Sequence, residues 1–332
     1  MSSRDRDSSQ DRVIGADVGG TLTRGALVDR SGKAILRVEY PTDTSAGTKG
    51  IIAVVEELMS RSPDPVAAIG VGAAGFINAA TGSVTFSPNL QYDDPHVADA
   101  IRNRAGGVPV IVDNDANAAA VGEKTFGSAK DSDFVAFITI GTGIGSGFID
   151  RGRLVRGFTG AGAEIGHMVI DPDGPPCPCG LKGCFEQLAS GSAIGRMGRE
   201  AVVEEPDSSI LQFAGSIDAI TGKHVAQAAR ELDEIARYVL RKAGRFLGIG
   251  LSNVVNIFDP EVIVLGGSAV RAGEPFLGPA RDQLHAMTTA QRRRAMRIDV
   301  TSLEDDAGLL GAAALAFEAL DEGRTTPPTG IS

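Results

Sequence analysis

Short apolar runs alternate with segments of helical spacing along most of this chain, and this alternation constrains its fold more than any other feature. The runs predicted as strands are 13–18, 25–28, 34–39, 66–71, 108–112, 134–140, 146–149 and 262–265. The segments predicted as helices are 48–59, 116–122, 224–258 and 307–319. Strands that alternate with helices indicate an α/β fold with largely parallel sheets.

One sequence pattern occurs twice. Residues 14–21 read as a strand that ends in a small-residue turn, and a second strand then leads to an Asp-Arg pair at 29–30. Residues 138–143 repeat the strand and the turn, and an Asp-Arg pair follows at 150–151. The repeat predicts two related domains facing each other across a cleft. The alternative is a chance similarity between short apolar strands.

With 332 residues, the chain is long enough for two domains with sizeable cores. We expect a small α/β domain formed by 12–113 plus 305–322, and a large α/β domain formed by 114–304. The polar segments 1–11 and 323–332 are predicted to be disordered tails.

The charge and the cysteine content exclude several classes of partner and location. A net charge of −10 argues against a nucleic-acid or anionic-membrane partner. No apolar run approaches the ~20 residues of a membrane span, and the polar N-terminus lacks the apolar core of a signal peptide. The few cysteines are confined to one cluster, so disulfides are not expected, and a reducing cytoplasm fits.

All three cysteines lie in one short segment, at Cys177, Cys179 and Cys184, and they follow His167 in the pattern H-x9-C-x-C-x4-C. Three thiolates and one imidazole suit a closed tetrahedral zinc site. The alternatives are redox-active or simply buried thiols, although Cys177 and Cys179 do not have the C-x-x-C spacing of redox pairs. The turn-forming prolines and glycines around the cysteines also favour a ligand loop.

Two carboxylates, Glu164 and Glu186, flank these metal-ligand candidates. A metal that folds the loop therefore also places two acidic side chains. Carboxylates bind pairs of sugar hydroxyls, and His167 is able to hold zinc with one ring nitrogen while the other faces a ligand.

Glycine-rich turns end three of the predicted strands, at 17–21, 141–145 and 266–267. Glycines let the backbone approach a phosphate, and successive amides form an anion-binding nest. Thr21 adds a hydroxyl donor, and Asp17 suits a hydrated magnesium ion. Any one of these turns has a plain hairpin turn as its alternative, but three together favour nucleotide binding. The chain has neither a P-loop nor a dinucleotide-binding glycine motif after its first strand.

Polar residues fill the segment 113–117 directly after the predicted strand 108–112. Open α/β sheets bind ligands at such carboxyl ends of strands. Asp115 is expected near the first turn of the next helix, where its carboxylate is able to accept a proton from a substrate hydroxyl, and Asn114 can bond neighbouring hydroxyls. The alternative is that Asp113 or Asp115 is only a helix N-cap.

This combination resembles the ROK family of bacterial sugar kinases, within the actin-like superfamily, and among them most resembles ATP-dependent glucokinases. The likeness covers 13–322 and is most specific in 141–186, which contains Glu164-x-x-His167 and Cys-x-Cys-Gly-x-x-Gly-Cys-x-Glu. It implies two actin-like (ribonuclease H-like) domains around a cleft, with a zinc loop in the larger one. It also implies transfer of phosphate from ATP with Mg²⁺ to the 6-hydroxyl of glucose, and a homodimer or homotetramer.

The resemblance also assigns roles to residues. Asp115 is implied as the catalytic base. The implied sugar contacts are Asn114, Glu164, His167, Glu186, Gly75 and Asn89. The implied nucleotide contacts are Asp17, Gly19, Gly20, Thr21, Arg24, Gly141, Thr142, Gly143, Gly266 and Gly267. The implied zinc ligands are His167, Cys177, Cys179 and Cys184. Leu22 departs from the family, whose members often carry Lys or Asn at that position.

Four alternatives to an ATP-dependent glucokinase remain open, and one of them is a non-enzymatic sugar-binding module, which would not need Asp115 or the phosphate turns. A second is a kinase for another hexose, such as N-acetylglucosamine, N-acetylmannosamine or fructose. Another is a sugar-sensing regulator without catalysis, although such repressors carry an N-terminal helix-turn-helix domain and only about a dozen residues precede the first strand here. The last is polyphosphate as phosphoryl donor, against which the net acidity of the chain counts mildly.

Overall fold

The computed structural model describes residues 11–87, 90–289 and 296–323. Packing divides the chain into two compact units. Unit 1 contains the chain up to Asp133, Gly147–Ala163 and the chain from Thr301 onward. Unit 2 contains Phe134–Ser146 and Glu164–Val300.

The elements confirm the predicted α/β class. In chain order, the strands are β1 (Arg12–Val18), β2 (Leu22–Asp29), β3 (Ala34–Pro41), β4 (Val66–Ala73), β5 (Phe76–Asn78), β6 (Ser83–Phe86), β7 (Val110–Asn114), β8 (Val135–Ile140), β9 (Ile144–Asp150), β10 (Arg153–Leu154), β11 (Val262–Gly266) and β12 (Arg297–Val300). The helices are α1 (Gly47–Arg61), α2 (Val97–Arg104), α3 (Asp115–Thr125), α4 (Phe185–Ala189), α5 (Gly191–Glu204), α6 (Ser209–Ala214), α7 (Gly222–Arg230), α8 (Glu234–Phe258), α9 (Glu274–Met287) and α10 (Ala307–Asp321).

The main sheet of unit 1 has the strand order β3-β2-β1-β4-β7. β1 is antiparallel to β2 but parallel to β4, which is in turn parallel to β7. The sheet is therefore mixed rather than largely parallel, because β2 and β3 return through hairpins. The carboxyl ends of β1, β4 and β7 meet at one edge of the sheet, which is the edge where such sheets bind ligands.

Alternate residues of β1 enter two different cores, as the two-residue period of a strand requires. Ile14 packs in a cluster with Ile51 and Leu58 of α1, on one face of the sheet. Val13 packs on the other face with Leu309 and Phe317 of α10. Both faces of the sheet are therefore covered at its centre, which explains why β1 and β4 read as nearly continuous apolar runs in the sequence.

Small residues let α10 lie close to both the sheet and α3. A helix that is apolar on all sides is normally buried, and α10 follows this rule. A Cβ atom added to Gly311 would lie 1.7 Å from the carbonyl oxygen of Ala118 in α3. A Cβ atom added to Gly70 in β4 would lie 1.8 Å from the carbonyl oxygen of Ala312. The position of α3 is thus set by a backbone-to-backbone contact with α10.

We expect Gly311→Ala to lower the free energy of unfolding by about 1–3 kcal/mol, because a methyl group inserted into a tight contact forces a helix to move. Gly50→Ala in α1 is the matched control, since its added Cβ would meet only the Thr23 hydroxyl, at 3.6 Å. Alanine favours a helix over glycine by up to ~1 kcal/mol, so the control should be at least as stable as wild type. Urea unfolding followed by circular dichroism measures both, and equal midpoints would contradict the packing argument.

A buried carboxylate fastens the other end of α3. Glu123 is fully buried and accepts hydrogen bonds from the Ser128 amide (2.8 Å) and the Ser128 hydroxyl (2.7 Å). It also accepts hydrogen bonds from the Thr301 hydroxyl and from the Leu303 amide (3.2 Å). The end of α3 is therefore tied to the segment that leads into α10.

The second sheet repeats the arrangement of the first. Its order is β10-β9-β8-β11-β12, in which β8, β11 and β12 correspond by position to β1, β4 and β7. β8 is parallel to β11, and β11 is parallel to β12. The chain passes from unit 2 into unit 1 within β9. This common strand order supports the internal repeat that the sequence predicts.

Several elements differ from the prediction. The predicted helix 224–258 is two helices, because Leu232 adopts a left-handed φ of 66° and Asp233 caps α8 by accepting from the Ala236 amide. The elements that the sequence did not predict are β5, β6, β10, β12, α2, α4, α5, α6 and α9.

The packing units also bear on the predicted domains and tails. Packing groups α3 and Gly147–Ala163 with unit 1, whereas the prediction assigns 114–304 to the large domain; the domain boundaries stay a prediction. The predicted tails lie outside the described residues, apart from Asp11 and Gly323. Among the helices described, none has the length and apolar character that a bilayer crossing demands.

Candidate active site

Asn114 is the N-cap of α3. Its side-chain oxygen accepts from the backbone amides of Ala116 (2.9 Å) and Asn117 (3.1 Å). Its amide nitrogen donates to the carbonyl oxygen of Gly75 (3.1 Å), which follows β4. The alternative that Asp113 or Asp115 is the cap is therefore wrong. Within the part of the chain that the structure describes, the Asn114 amide nitrogen makes one hydrogen bond, so its second hydrogen is available to a ligand.

Asp115 is the first residue of α3, and its Oδ1 accepts from the Ala116 amide at 2.9 Å. The positive end of a helix dipole favours a carboxylate in the first turn. A carboxylate is the form that accepts a proton, so the position suits a general base.

Tyr92 lies near this carboxylate and was missed in the sequence. Burial raises the pKa of Tyr92, and the charges of Asp115 and Asp17 raise it further. Its hydroxyl thus stays protonated, and it donates to the carbonyl oxygen of Ala74 at 3.0 Å. Tyr92 therefore steadies the turn after β4, whose next carbonyl, that of Gly75, holds Asn114.

The predicted phosphate turn, Gly19–Thr21, follows β1 at the same edge of the sheet. The Gly19 amide donates to the Leu22 carbonyl at 3.0 Å, and the Thr42 amide donates to the Thr21 carbonyl at 2.9 Å. The Thr42 hydroxyl donates to the Gly19 carbonyl at 2.8 Å. These bonds fix the turn while Gly20 and Thr21 stay exposed, as a phosphate-binding turn requires.

Asp17 and Arg24 face each other across β1 and β2, with Oδ2 and Nη2 2.6 Å apart. Burial raises the pKa of Asp17, and the charge and hydrogen bond of Arg24 oppose this effect. Arg24 is thus engaged with Asp17 inside unit 1. Its predicted contact with phosphate stays a prediction.

In unit 2, the four predicted metal ligands lie together. One ligand atom from each of His167, Cys177, Cys179 and Cys184 lies within 4.8 Å of all the others. The Cys177 sulfur is 3.8 Å from His167 Nδ1, and the sulfurs of Cys179 and Cys184 are 3.6 Å apart. All three cysteines are free thiols. Three sulfurs and one nitrogen at this separation suit tetrahedral zinc.

The loop between the ligands is tightly closed. Gly183 has a φ of 64°, and an added Cβ would lie 1.5 Å from the Asp171 carbonyl oxygen. The Ile170 amide donates to the Gly183 carbonyl at 3.0 Å. Such a loop admits no larger residue at this position, which agrees with the turn-rich composition that predicted it.

Glu164 and Glu186 are both positioned by this loop. Glu164 directly precedes the short 3-10 helix Ile165–His167, and Glu186 lies in the first turn of α4, two residues after Cys184. Glu186 accepts from the Ile144 amide at 2.9 Å. Burial raises the pKa of Glu164; the charge of His167 lowers it, and the charge of Glu186 raises it. The two predicted sugar-binding carboxylates and His167 therefore interact with one another.

A cavity of about 670 Å³ lies in unit 2, beside the predicted nucleotide turn at Gly141 and Thr142. This volume is within the range of small-molecule sites. Ser268 and Ala269, which directly follow the predicted Gly266 and Gly267, also line it. Gly143, Gly266 and Gly267 are not among its lining residues.

Four cationic residues that sequence reasoning missed line the same cavity, namely Arg199, Lys223, Arg230 and Arg271. Two of them support the cavity wall, because Arg199 donates to the Ile220 carbonyl at 2.6 Å and Arg230 to the Arg271 carbonyl at 3.0 Å. They come from α5, α7 and the segment after β11, so no local sequence pattern connects them. The predicted sugar contact Asn89 lies outside the described residues.

The fold and the site define an α/β protein with a duplicated sheet arrangement, a polar strand edge suited to a reacting hydroxyl, and a cysteine–histidine cluster. The family model described as ROK family matches residues 13–319. The chain therefore belongs to the ROK family, as the sequence predicts.

Individual relatives match nearly the whole chain. A glucokinase of Thermotoga maritima is 35% identical over 310 residues, which covers 92% of this chain and 98% of the relative. The crystal structure of a ROK family glucokinase from Streptomyces griseus in complex with glucose and AMPPNP has a TM-score of 0.81 and 36% identity, with 92% of this chain and 99% of that chain covered. A xylose repressor of Caldicellulosiruptor bescii is 30% identical and covers 92% of this chain and 78% of its own length.

Proposed function

We propose that the protein is an ATP-dependent glucokinase that phosphorylates the 6-hydroxyl of glucose. One observation carries this proposal: the Asp115 carboxylate after β7 and the phosphate-type turn Gly19–Thr21 after β1 lie at the same edge of one sheet. A base and a phosphate-binding turn on one rigid framework are what phosphoryl transfer to an alcohol requires. The glucokinase relatives, and the glucose and AMPPNP bound in the Streptomyces griseus enzyme, support the same choice.

In this reaction the 6-hydroxyl oxygen of glucose attacks the γ-phosphorus of ATP, and Asp115 takes the hydroxyl proton. The O–P bond to ADP breaks, and ADP leaves with the electron pair. The residues proposed to bind the other sugar hydroxyls are Asn114, Glu164, His167 and Glu186, with Gly75 and Asn89 as further candidates. Positioning and charge stabilisation lower most of the barrier, since little covalent chemistry falls to the protein.

The nucleotide is proposed to use both glycine turns. Gly19, Gly20 and Thr21 would bind phosphate oxygens, supported by Arg24, and Asp17 would hold magnesium through water. Gly141, Thr142 and Gly143 would contact phosphate from unit 2. The adenosine would occupy the cavity in unit 2, and Gly266 and Gly267, which directly precede the lining residues Ser268 and Ala269, would let the base pass close to the backbone. Magnesium supplies charge neutralisation on the phosphates when it is bound.

The proposal has structural and cellular parts. We propose that both domains are actin-like and that His167 and the three cysteines bind zinc. Free thiols of this kind suit a reducing cytoplasm. A homodimer or homotetramer is expected from the family resemblance. No nucleic-acid or membrane partner is proposed for this acidic chain.

A sugar-sensing regulator is the alternative from another class, because the family also contains repressors such as that of Caldicellulosiruptor bescii. A regulator has no use for a base beside a phosphate turn, so the edge that carries Asp115 and Gly19–Thr21 favours catalysis. Another hexose is the closer alternative, and the residues that face the sugar 2-position decide between the two.

A panel of hexoses assayed with ATP and with polyphosphate tests the proposal. We expect glucose with ATP to give the highest kcat/KM, with the product phosphorylated at the 6-position by NMR. A higher kcat/KM for an N-acetylated hexose or for fructose would reassign the substrate. The absence of turnover with every sugar and both donors would contradict the enzyme assignment.

A further inference from the structure

Arg156 forms a buried ion pair at the start of α3. It lies just after β10, in the stretch that leads the chain to Glu164. Its Nε donates to Asp113 Oδ2 at 2.7 Å, and the two side chains are only 12% and 2% exposed. Among the described residues, no other Lys or Arg forms an ion pair with Asp113.

Asp113 connects three elements through its two carboxylate oxygens. Oδ2 is taken by Arg156, while Oδ1 accepts from the Asn114 amide at 2.8 Å and from the Asn117 amide side chain at 2.9 Å. Asp113 ends β7 together with Asn114, and Asn117 lies in the first turn of α3. This one carboxylate therefore joins the end of the strand to the first turn of the helix that begins with Asp115.

The backbone around Arg156 is held in place as well. The Val155 amide donates to the Phe148 carbonyl at 2.8 Å, which attaches the segment to β9. The Gly162 amide donates to the Arg156 carbonyl at 3.0 Å, which closes the loop that follows. The guanidinium is thus presented to Asp113 from a fixed backbone rather than from a free surface segment.

We propose that Arg156 is a positioning residue for phosphoryl transfer, which holds Asp115 in its reactive orientation through Asp113. This inference rests on the proposed kinase function and adds a residue that neither the sequence motifs nor the catalytic roles above include. The competing explanation is that Arg156 only neutralises a buried charge and so supports folding.

The two explanations differ in what they do to kcat and KM. Glucose affinity is spread over several side chains, whereas proton transfer depends on Asp115 alone. A small displacement of a reacting group costs up to about 10²-fold in rate. Loss of Arg156 should therefore lower kcat strongly and change the KM for glucose little.

Two variants separate charge from geometry. Lysine keeps the positive charge but lacks the planar fork, so Arg156→Lys should fold like wild type and lose about 10-fold in kcat. Arg156→Gln should lose about 10²-fold in kcat with the KM for glucose within about 3-fold of wild type. Added guanidinium, at a concentration that does not unfold the protein, should restore part of the kcat of Arg156→Gln, whereas sodium at equal ionic strength should not.

Arg30→Gln is the control, because Arg30 also pairs with two carboxylates of unit 1, those of Asp11 (3.0 Å) and Asp321 (2.8 Å), but lies outside the site. It should keep the kcat of wild type and show no response to guanidinium. Thermal unfolding and active-site titration with glucose give the folded fraction of each variant.

The outcomes distinguish this inference from the proposed function. A wild type that phosphorylates glucose, with an Arg156→Gln whose kcat falls only in proportion to its folded fraction, overturns the positioning role alone. The positioning role is also overturned if Arg156→Lys keeps the kcat of wild type, or if guanidinium does not restore any kcat to Arg156→Gln. A wild type without activity on any sugar overturns both. If another hexose is the better substrate, the same kcat and KM comparison is made with that sugar.

Discussion

Replacement of Asp115 with asparagine is expected to remove nearly all sugar phosphorylation while glucose affinity stays close to that of wild type. Asparagine has the same shape, and its side-chain oxygen still accepts from the Ala116 amide, so the start of α3 is preserved. It cannot take the proton of the 6-hydroxyl, and loss of a general base typically costs ~10²–10⁴-fold. Steady-state kinetics give kcat, and titration calorimetry with glucose gives the affinity.

Asp131→Asn is the matched control for this experiment, since Asp131 is an exposed aspartate of the same unit and lies away from the strand edge that carries the site. It should keep wild-type kcat. A kcat of Asp115→Asn close to that of wild type would remove Asp115 as the base. Loss of glucose binding together with activity would instead indicate that the substitution disturbs the start of α3.

The second large effect is expected at the cysteine–histidine cluster. Wild-type protein purified without added metal should contain one zinc per chain, measured by mass spectrometry of the metal. The apparent binding energy of structural zinc reaches ~10–16 kcal/mol in zinc-finger peptides when all four ligands are present. Cys179→Ser should lose the zinc, because serine is a poor zinc ligand and removes one of these four. Cys179 is exposed, so the serine hydroxyl itself adds no buried polar group.

Loss of the metal should also weaken glucose binding, because the loop positions Glu164 and Glu186. A hydrogen bond to a charged group contributes about 1.5–3 kcal/mol. Misplacing one such carboxylate therefore weakens binding by roughly 10- to 100-fold. Lys182→Ala, at an exposed position of the same loop, is the control and should keep both zinc and affinity. A wild type that is free of metal yet fully active would contradict the structural role.

The parts of the fold that were predictable are those whose pattern is local. The apolar run 66–71 predicts a strand, and β4 (Val66–Ala73) is buried on both faces. Burial on both faces requires apolar residues at successive positions, so this strand is recognisable from its local sequence. The break near 231–233 was not predictable in the same way. It depends on a left-handed leucine, Leu232, which residue preference disfavours and which only the packed structure accounts for.

The residues of the candidate site also differ in whether a local sequence pattern identifies them. The grouping of the cysteines with His167 and the position of Asp115 at the start of α3 were predictable, because short spacing identifies the first and the end of a strand the second. Arg156 was not, because its partner Asp113 is 43 residues away in sequence and nothing local links the two. The pairing of Arg24 with Asp17 was not predicted either, and the phosphate contact that the family resemblance implies for Arg24 stays a prediction.

The place of α10 in the fold has a consequence for biosynthesis. Until the ribosome has made residues 307–321, the face of the first sheet that carries Val13 and Val28 has no cover. All of unit 2 precedes this helix in the chain and is able to fold earlier. Nascent chains would therefore expose an apolar sheet face through most of translation. That makes the growing chain, rather than the finished protein, the species most dependent on chaperones.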